Sequence, residues 1–348
     1  MPAHADRRAI ARRAHLWLVL FLAISCIASL AAGASGASIW SALRDIATGM
    51  PVAATDAIVL WEIRLPRTVM GLIVGAALAV SGAVLQGLFR NPLADPGIVG
   101  VSAGASLGAI AAIIFASALP VAIQARVGTF LVPLAAFLGS WVSVVLLYSV
   151  ATHRGRTSVA TMLLAGIALT ALTMALSGIM IYAADDQQLR SLTFWQMGSL
   201  GGATWPKLAI AGPLIAVALA LAFTLGRALN ALALGEATAM HLGIPLQRAK
   251  NLAVVTVAAA TGAAVAVSGG IGFIGIVIPH LLRLATGPDH GPLLINSALL
   301  GGALLIWADV VARLIIAPAE LPIGIVTAVM GAPVFLWILL RSRGVLDL

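Results

Sequence analysis

Ten apolar runs, each close to the length that crosses a lipid bilayer, divide this chain from one end to the other. They fall at about 16–34, 68–89, 98–118, 127–150, 160–183, 208–225, 249–268, 272–286, 293–316 and 323–340. An α-helix needs ~20 predominantly apolar residues to cross the hydrocarbon core. The pattern predicts an all-α polytopic membrane protein with ten transmembrane helices and a single transmembrane domain over residues 1–348. The eighth run is the shortest and carries Pro279.

Composition agrees: 61% of the 348 residues are hydrophobic and 9% are charged, far from the balance of a soluble globular chain. The 35 glycines suit helices that pack closely in lipid. The net charge of +8 is spread between apolar runs rather than clustered with aromatics, so it does not point to nucleic acid. The single cysteine, Cys26, lies in an apolar run and supports neither a disulfide framework nor a cysteine metal site.

Arg7, Arg8, Arg12 and Arg13 precede the first run, which ends in small residues as a signal peptide does. Its length of about 19 residues favours a retained span. An even number of spans puts both termini on one side. Taking that side as the cytoplasm places thirteen of the 20 basic residues inside: Arg7, Arg8, Arg12, Arg13, Arg90, Arg154, Arg156, Arg227, Arg248, Lys250, Arg283, Arg341 and Arg343. This is the direction of the positive-inside rule.

One connector differs from the rest. Residues 231–250, ALALGEATAMHLGIPLQRAK, form a short amphipathic stretch in a cytoplasmic segment at about 227–250. Leu232, Leu234, Ala237, Met240 and Leu242 fit one helical face, with Glu236, Thr238 and His241 elsewhere. Gly243 is expected to end that helix and Pro245 to block its continuation. Too short and polar to span a bilayer, it is suited to take force from a partner.

Several motifs have enzymatic look-alikes. Gly270–Gly275 matches the dinucleotide fingerprint but joins two apolar runs, so it reads as a backbone turn. Gly100-Val101-Ser102-Ala103-Gly104 matches a nucleophile elbow, which with His280 would suggest an intramembrane serine protease. The alternative is a packing face of Gly100, Gly104 and Gly108. No phosphate-binding P-loop occurs, so any ATP used must be bound by another subunit. Asp309 and Arg313, four residues apart, read as a neutralising pair within the ninth run or as a functional charge site. That carboxylate is also the one candidate for an ion-driven secondary transporter. Arg64 and Arg67 flank Pro66, either snorkelling at the interface or gripping a partner carboxylate. His241 and His280 lack ligands at metal spacing, and no metal or other cofactor is implied.

Taken together and in order, several stretches resemble the permease subunits of binding-protein-dependent ABC importers for iron chelates and cobalamin. They include Arg64-Leu65-Pro66-Arg67, Gly75–Gly82, Asn91-Pro92-Leu93-Ala94-Asp95-Pro96-Gly97 and Leu164-Ala165-Gly166. Gly235-Glu236-Ala237, Gly272–Gly275 leading to Pro279-His280, Asp309–Arg313, Glu320–Gly324 and Gly331-Ala332-Pro333 complete the set. The resemblance spans residues 60–340. It implies a type II importer architecture: a homodimer in the bacterial inner membrane, a cytoplasmic ATPase dimer and a periplasmic binding protein. By motif position, Gly235, Glu236, Ala237, Leu242 and Gly243 are expected at the ATPase. Arg64, Arg67 and Arg313 are expected to dock the binding protein, and Asn91 and Leu93 to form part of the cytoplasmic gate. A second gate loop is expected near residues 157–161. The stretch 192–206, LTFWQMGSLGGATWP, looks most like the haem-transporting members. The expected cargo order is therefore haem, ferric siderophore, cobalamin.

Overall fold

Each of the ten apolar stretches is helical in the computed structural model, which describes residues 4–33, 39–97 and 100–346. Residues 98–99, at the predicted start of the third span, and 34–38, from the predicted end of the first span into the first long loop, lie outside the described residues. Among the described residues seven helices are long and apolar enough to cross a membrane, and three expected spans are shorter apolar helices. The chain is a polytopic helical membrane protein.

In order, the helices that occupy the ten runs are α1 (His4–Ala31), α4 (Leu65–Phe89), α5 (Val101–Phe115), α6 (Val121–Ala151), α7 (Val159–Tyr182), α9 (Trp205–Phe223), α12 (Leu246–Ser268), α13 (Ile274–Thr286), α14 (His290–Leu314) and α15 (Ile323–Leu346). Burial sorts them. Over their apolar windows the α4, α12 and α14 spans are 83%, 78% and 61% buried, whereas α1, α6, α7 and α9 reach 28% at most. The first group is therefore the axis of the bundle, and the second supplies its outer faces. Water drives no helix together inside lipid, so close van der Waals approach must do so. Gly104 on α5 lies so near Gly139 on α6 that a Cβ on either would strike the other's carbonyl oxygen. The small-residue reading of Gly100-x-x-x-Gly104-x-x-x-Gly108 is the one the packing follows.

Several connectors contain helices that the span pattern does not reveal. The first long loop holds α2 (Ile39–Ala47) and α3 (Ala54–Ile58), and α3 runs through a π-helical segment, Val59–Arg64, directly into α4. The second span therefore begins well before residue 68. The wide turn has a local cause: Pro66 lacks an N–H for the ladder, and the π segment just before it absorbs that break. Between α7 and α9 lies α8 (Asp186–Met197), started by a capping box. The Asp185 side chain accepts from the Gln188 N–H at 2.8 Å, and Gln188 Oε1 accepts from the Asp185 N–H at 3.1 Å. Between α6 and α7 a hairpin forms from β1 (Thr152–His153) and β2 (Arg156–Thr157). Its two-residue turn, Arg154-Gly155, has both φ angles positive, as the twist of a tight hairpin requires.

The amphipathic stretch is not one helix. It comprises α10 (Gly226–Ala233) and α11 (Glu236–His241), interrupted at Gly235, whose φ is +105°. The single apolar face expected from Leu232 to Leu242 is thereby split, because residues on either side of the break no longer share a helical phase. Leu232 and Ala239 are buried, whereas Leu234, Met240 and Leu242 point outward.

Candidate functional site

The polar residues singled out in the sequence gather at two opposite ends of the bundle, with an unwound segment between them.

At the end where α4 begins, four charges are interlocked, with Arg64 beside them at the end of α1. Arg67 on α4 meets Asp309 on α14 side-on: Nε lies 2.9 and 3.0 Å from the two carboxylate oxygens, and Nη2 lies 2.8 Å from Oδ1. Its Nη1 donates to Glu320 Oε1 at 2.7 Å. Arg313 reaches Asp309 Oδ2 at 3.1 Å, the i,i+4 pair expected from spacing. Arg313 also donates to Ser29 O, Ser29 Oγ and Ala32 O, while Arg64 donates to Leu30 O and Ala31 O. Two guanidiniums thus cap the carbonyls at the C-terminus of α1, the end of a helix that favours positive charge. Arg64, Arg67 and Arg313 are 3%, 6% and 7% exposed. Each of the three is turned inward and occupied by its own chain. Glu320 is the half-exposed member of the cluster.

At the opposite end, α4 stops at Arg90, whose left-handed φ of +50° turns the chain. Asn91 then forms an Asx turn, its Oδ1 accepting from the Leu93 N–H at 2.9 Å, while its own N–H returns to Gln86 O. Asn91 and Leu93 are half-buried. Packing around Asp95 pushes its carboxyl above the usual carboxylate range, partly offset by the Gly97 N–H at 2.8 Å.

Beside this turn α10 and α11 project. Glu236 is the first residue of α11, and Ala237, Leu242 and Gly243 are exposed. Gly243 has φ +76° and closes a Schellman motif: its N–H bonds Met240 O at 2.9 Å, and the Ile244 N–H bonds Ala239 O at 3.1 Å. The expectation that Gly243 ends the helix therefore holds, with Pro245 leading into α12. A cavity of about 810 Å³ opens between this stretch and the β1–β2 hairpin, lined in part by Arg156, Thr157, Glu236, Met240, Gln247 and Lys250.

Sequence reasoning missed the network behind that cavity. Lys250 is paired with Glu236 at 2.8 Å, Gln247 bonds Thr157 and Asn251, and Tyr148 donates to Asn251. The available signal was the polar set Gln247, Lys250 and Asn251 at i, i+3 and i+4 in the first turns of an otherwise apolar helix.

Between the two ends, residues 269–273 leave α12 and enter α13 without helical structure, and Phe273 adopts φ +68°. The dinucleotide look-alike is a backbone bend. The carbonyls of Gly275 and Ile276 accept from Gln86 Nε2 at 3.2 and 3.3 Å. A pocket of about 380 Å³ lies against the bend, lined by Gln196, Met197, Phe273, Ile325, Ala328, Val329 and three glycines. Among the described residues no group of three His, Cys, Asp or Glu side chains could hold a metal ion.

The protease arrangement is not assembled. Ser102 opens α5, which packs on α6, α7, α8 and α12, whereas His280 sits on α13, which packs on α1, α4, α14 and α15. Ser102→Ala is accordingly expected to leave uptake within about twofold of the unmodified protein, as for substitutions away from packing or charge features. A loss of most activity would reopen the nucleophile reading.

Residues 20–341 match the model of the FecCD transport family. The chain belongs to the FecCD transport family. It is 45% identical over 285 residues to the hemin transport system permease protein of Yersinia pestis, covering 82% of this chain and 84% of that one. It is 44% identical over 334 residues to the vitamin B12 import system permease protein of Salmonella paratyphi A, covering 95% and 97%. A solved inward-facing metal-chelate type ABC transporter matches with a TM-score of 0.83 and 31% identity, covering 95% of this chain and 99% of that one. The FecCD chain is thus a multi-pass membrane permease subunit of the ABC-importer type, and its fold and its motif order agree.

Proposed function

We propose that this FecCD permease imports haem across a bacterial inner membrane as a homodimer. ATP is hydrolysed on a separate cytoplasmic ATPase dimer, and a periplasmic binding protein delivers the cargo. In this reading the Glu236 end and both termini are cytoplasmic, and the Arg67 end is periplasmic.

The observation that carries the reading is the asymmetry of the two ends. One end presents the short α11 with Met240 on it and Leu234 and Leu242 flanking it, all three uncovered beside an open cavity. A short helix with apolar anchors is a form suited to a partner's groove. The other end is a closed charge cluster. Gly235, Glu236, Ala237, Leu242 and Gly243 are accordingly assigned to the ATPase contact, and Asn91 and Leu93 to the gate at the same end. At the Arg67 end, docking of a binding protein through Arg64, Arg67 and Arg313 requires those arginines to exchange present partners. The half-exposed Glu320 is the member placed to be displaced first.

Haem as cargo is supported by the stretch 192–206. Its Gln196 and Met197 line the mainly apolar pocket beside Phe273, a lining suited to the flat apolar body of a porphyrin rather than to metal ligation. The test is ATP-driven uptake into proteoliposomes holding the complete complex, offered hemin, a ferric siderophore and cobalamin in turn. Hemin should accumulate fastest. Preference for cobalamin or the siderophore would overturn the cargo, and uptake that follows a proton gradient without ATP would overturn the importer class.

A further inference from the structure

Lys250 is 4% exposed, yet it sits two residues from Arg248, which stands in solvent. Burying an ammonium is costly unless it is paired and hydrogen-bonded. Here the two partners come from different elements. One is Glu236 Oε1 at 2.8 Å, on the first turn of α11; the other is Thr157 O at 2.8 Å, at the end of the β1–β2 hairpin. Every polar atom of Thr157 is in fact held. Its N–H donates to Gln247 Oε1 at 3.0 Å, and its Oγ1 accepts from Gln247 Nε2 at 2.6 Å and pairs with Thr152 Oγ1 at 2.9 Å. The next residue, Ser158, caps α7 through a 3.3 Å bond from the Thr161 N–H.

We infer that Lys250 is a positioning residue that joins α11 to the start of α7, so that a displacement of Glu236 is felt at Thr157 and Ser158. The inference rests on the ATPase-contact assignment of α11 and extends it to a second path into the bundle. The chain's direct route from α11 enters α12; the Lys250 link adds the α6–α7 turn, 93 residues away in sequence. Moving Glu236 away leaves a buried cation with a single carbonyl. That state is costly, so the hairpin must follow or the pair must reform.

The test uses the full complex in nanodiscs and reads amide hydrogen exchange at Thr157 and Ser158, whose N–H groups bond Gln247 and Ala151. Glu236→Gln alters only a half-exposed side chain on a different element. It is expected to speed exchange at those two amides by about fivefold or more, the lower end of measured site-to-site coupling, with α4 unchanged. Lys250→Met should do the same and raise the ATP consumed per cargo molecule imported, and Lys250→Arg should restore part of both. Unchanged exchange at Thr157 and Ser158 in Glu236→Gln would overturn the link. So would an unchanged ratio of ATP to cargo in Lys250→Met, because a purely structural role lowers hydrolysis and uptake together. If Lys250→Met does not accumulate, Glu236→Gln decides alone. The exchange measurement needs no ATP, so its outcome is separable from failure of the importer reading.

Discussion

Arg67→Ala is expected to prevent the permease from accumulating as a stable, solubilised protein, rather than merely to weaken docking. Arg67 is 6% exposed and is the only group that touches both Asp309 and Glu320 among the hydrogen bonds described. Removing it leaves Asp309 buried with Arg313 alone, and that guanidinium is already shared with Ser29 and Ala32. Deleting one partner of a buried ion pair typically costs about 3–5 kcal/mol, because the other charge stays behind. Such a loss is a large share of the ~5–15 kcal/mol by which folded domains are stable. Arg67→Lys should fall between: it keeps the charge but replaces a planar fork with a point donor that cannot hold two carboxylates in the same way. The double variant Arg67→Ala with Asp309→Ala should recover part of the loss, since the orphaned charge is then gone. Yield and thermal stability of the solubilised protein check all three. Normal stability of Arg67→Ala, with only stimulation by the binding protein lost, would instead support a direct docking role.

That contrast shows what a sequence exposes and what it hides. Span length is imposed by the bilayer, so the ten apolar runs could be read one by one, down to the short eighth, which is the 13-residue α13. Local chemistry was equally legible where it is self-contained: Asp309 and Arg313 pair at i,i+4, and Gly243 ends a helix ahead of Pro245. Arg64 and Arg67 were read as the mouth of a span because the residues before Pro66 carry too many polar groups to extend an apolar run. The helix nevertheless continues through them as α3 and the π segment. Both arginines stay at that end of the bundle, but their guanidiniums turn inward, to the carbonyls of α1 and to Asp309 and Glu320. The α8 helix was missed although Asp185-x-x-Gln188 has capping-box spacing, because its composition is too polar to register as a span. Lys250 could be read only as an inside charge: its partners lie 14 residues back and 93 residues back, and only tertiary packing brings them together.

Gly243→Val should remove most transport while leaving the spans in place. At φ +76° a glycine is unconstrained, whereas a residue with a Cβ in this left-handed region is strained by about 1–2 kcal/mol, and β-branching adds to it. Space is not the difficulty, because a Cβ built on Gly243 meets no atom within 4 Å. The strain is therefore purely conformational and is relieved by opening the turn. Opening it breaks the Gly243 N–H bond to Met240 O and the Ile244 N–H bond to Ala239 O, the two bonds that finish α11. A six-residue helix cannot sustain itself once an end is lost, since isolated helices of this length are unstable in water. Leu242 and Met240 would then leave the positions in which α11 presents them, and Glu236 would lose the rigid base from which it meets Lys250. Of the core helices, α12 is tied to α11 through the Lys250–Glu236 pair, so the loss of thermal stability in the solubilised permease should be small beside that of Arg67→Ala. Uptake in proteoliposomes should fall by about tenfold or more, matching a loss of ~1.4 kcal/mol or greater in the productive contact. Gly243→Ala, strained but not β-branched, should lie between. The measurement pairs uptake with co-purification of the ATPase. Unmodified uptake and full ATPase recovery in Gly243→Val would mean that the turn is a passive connector between α10 and α12.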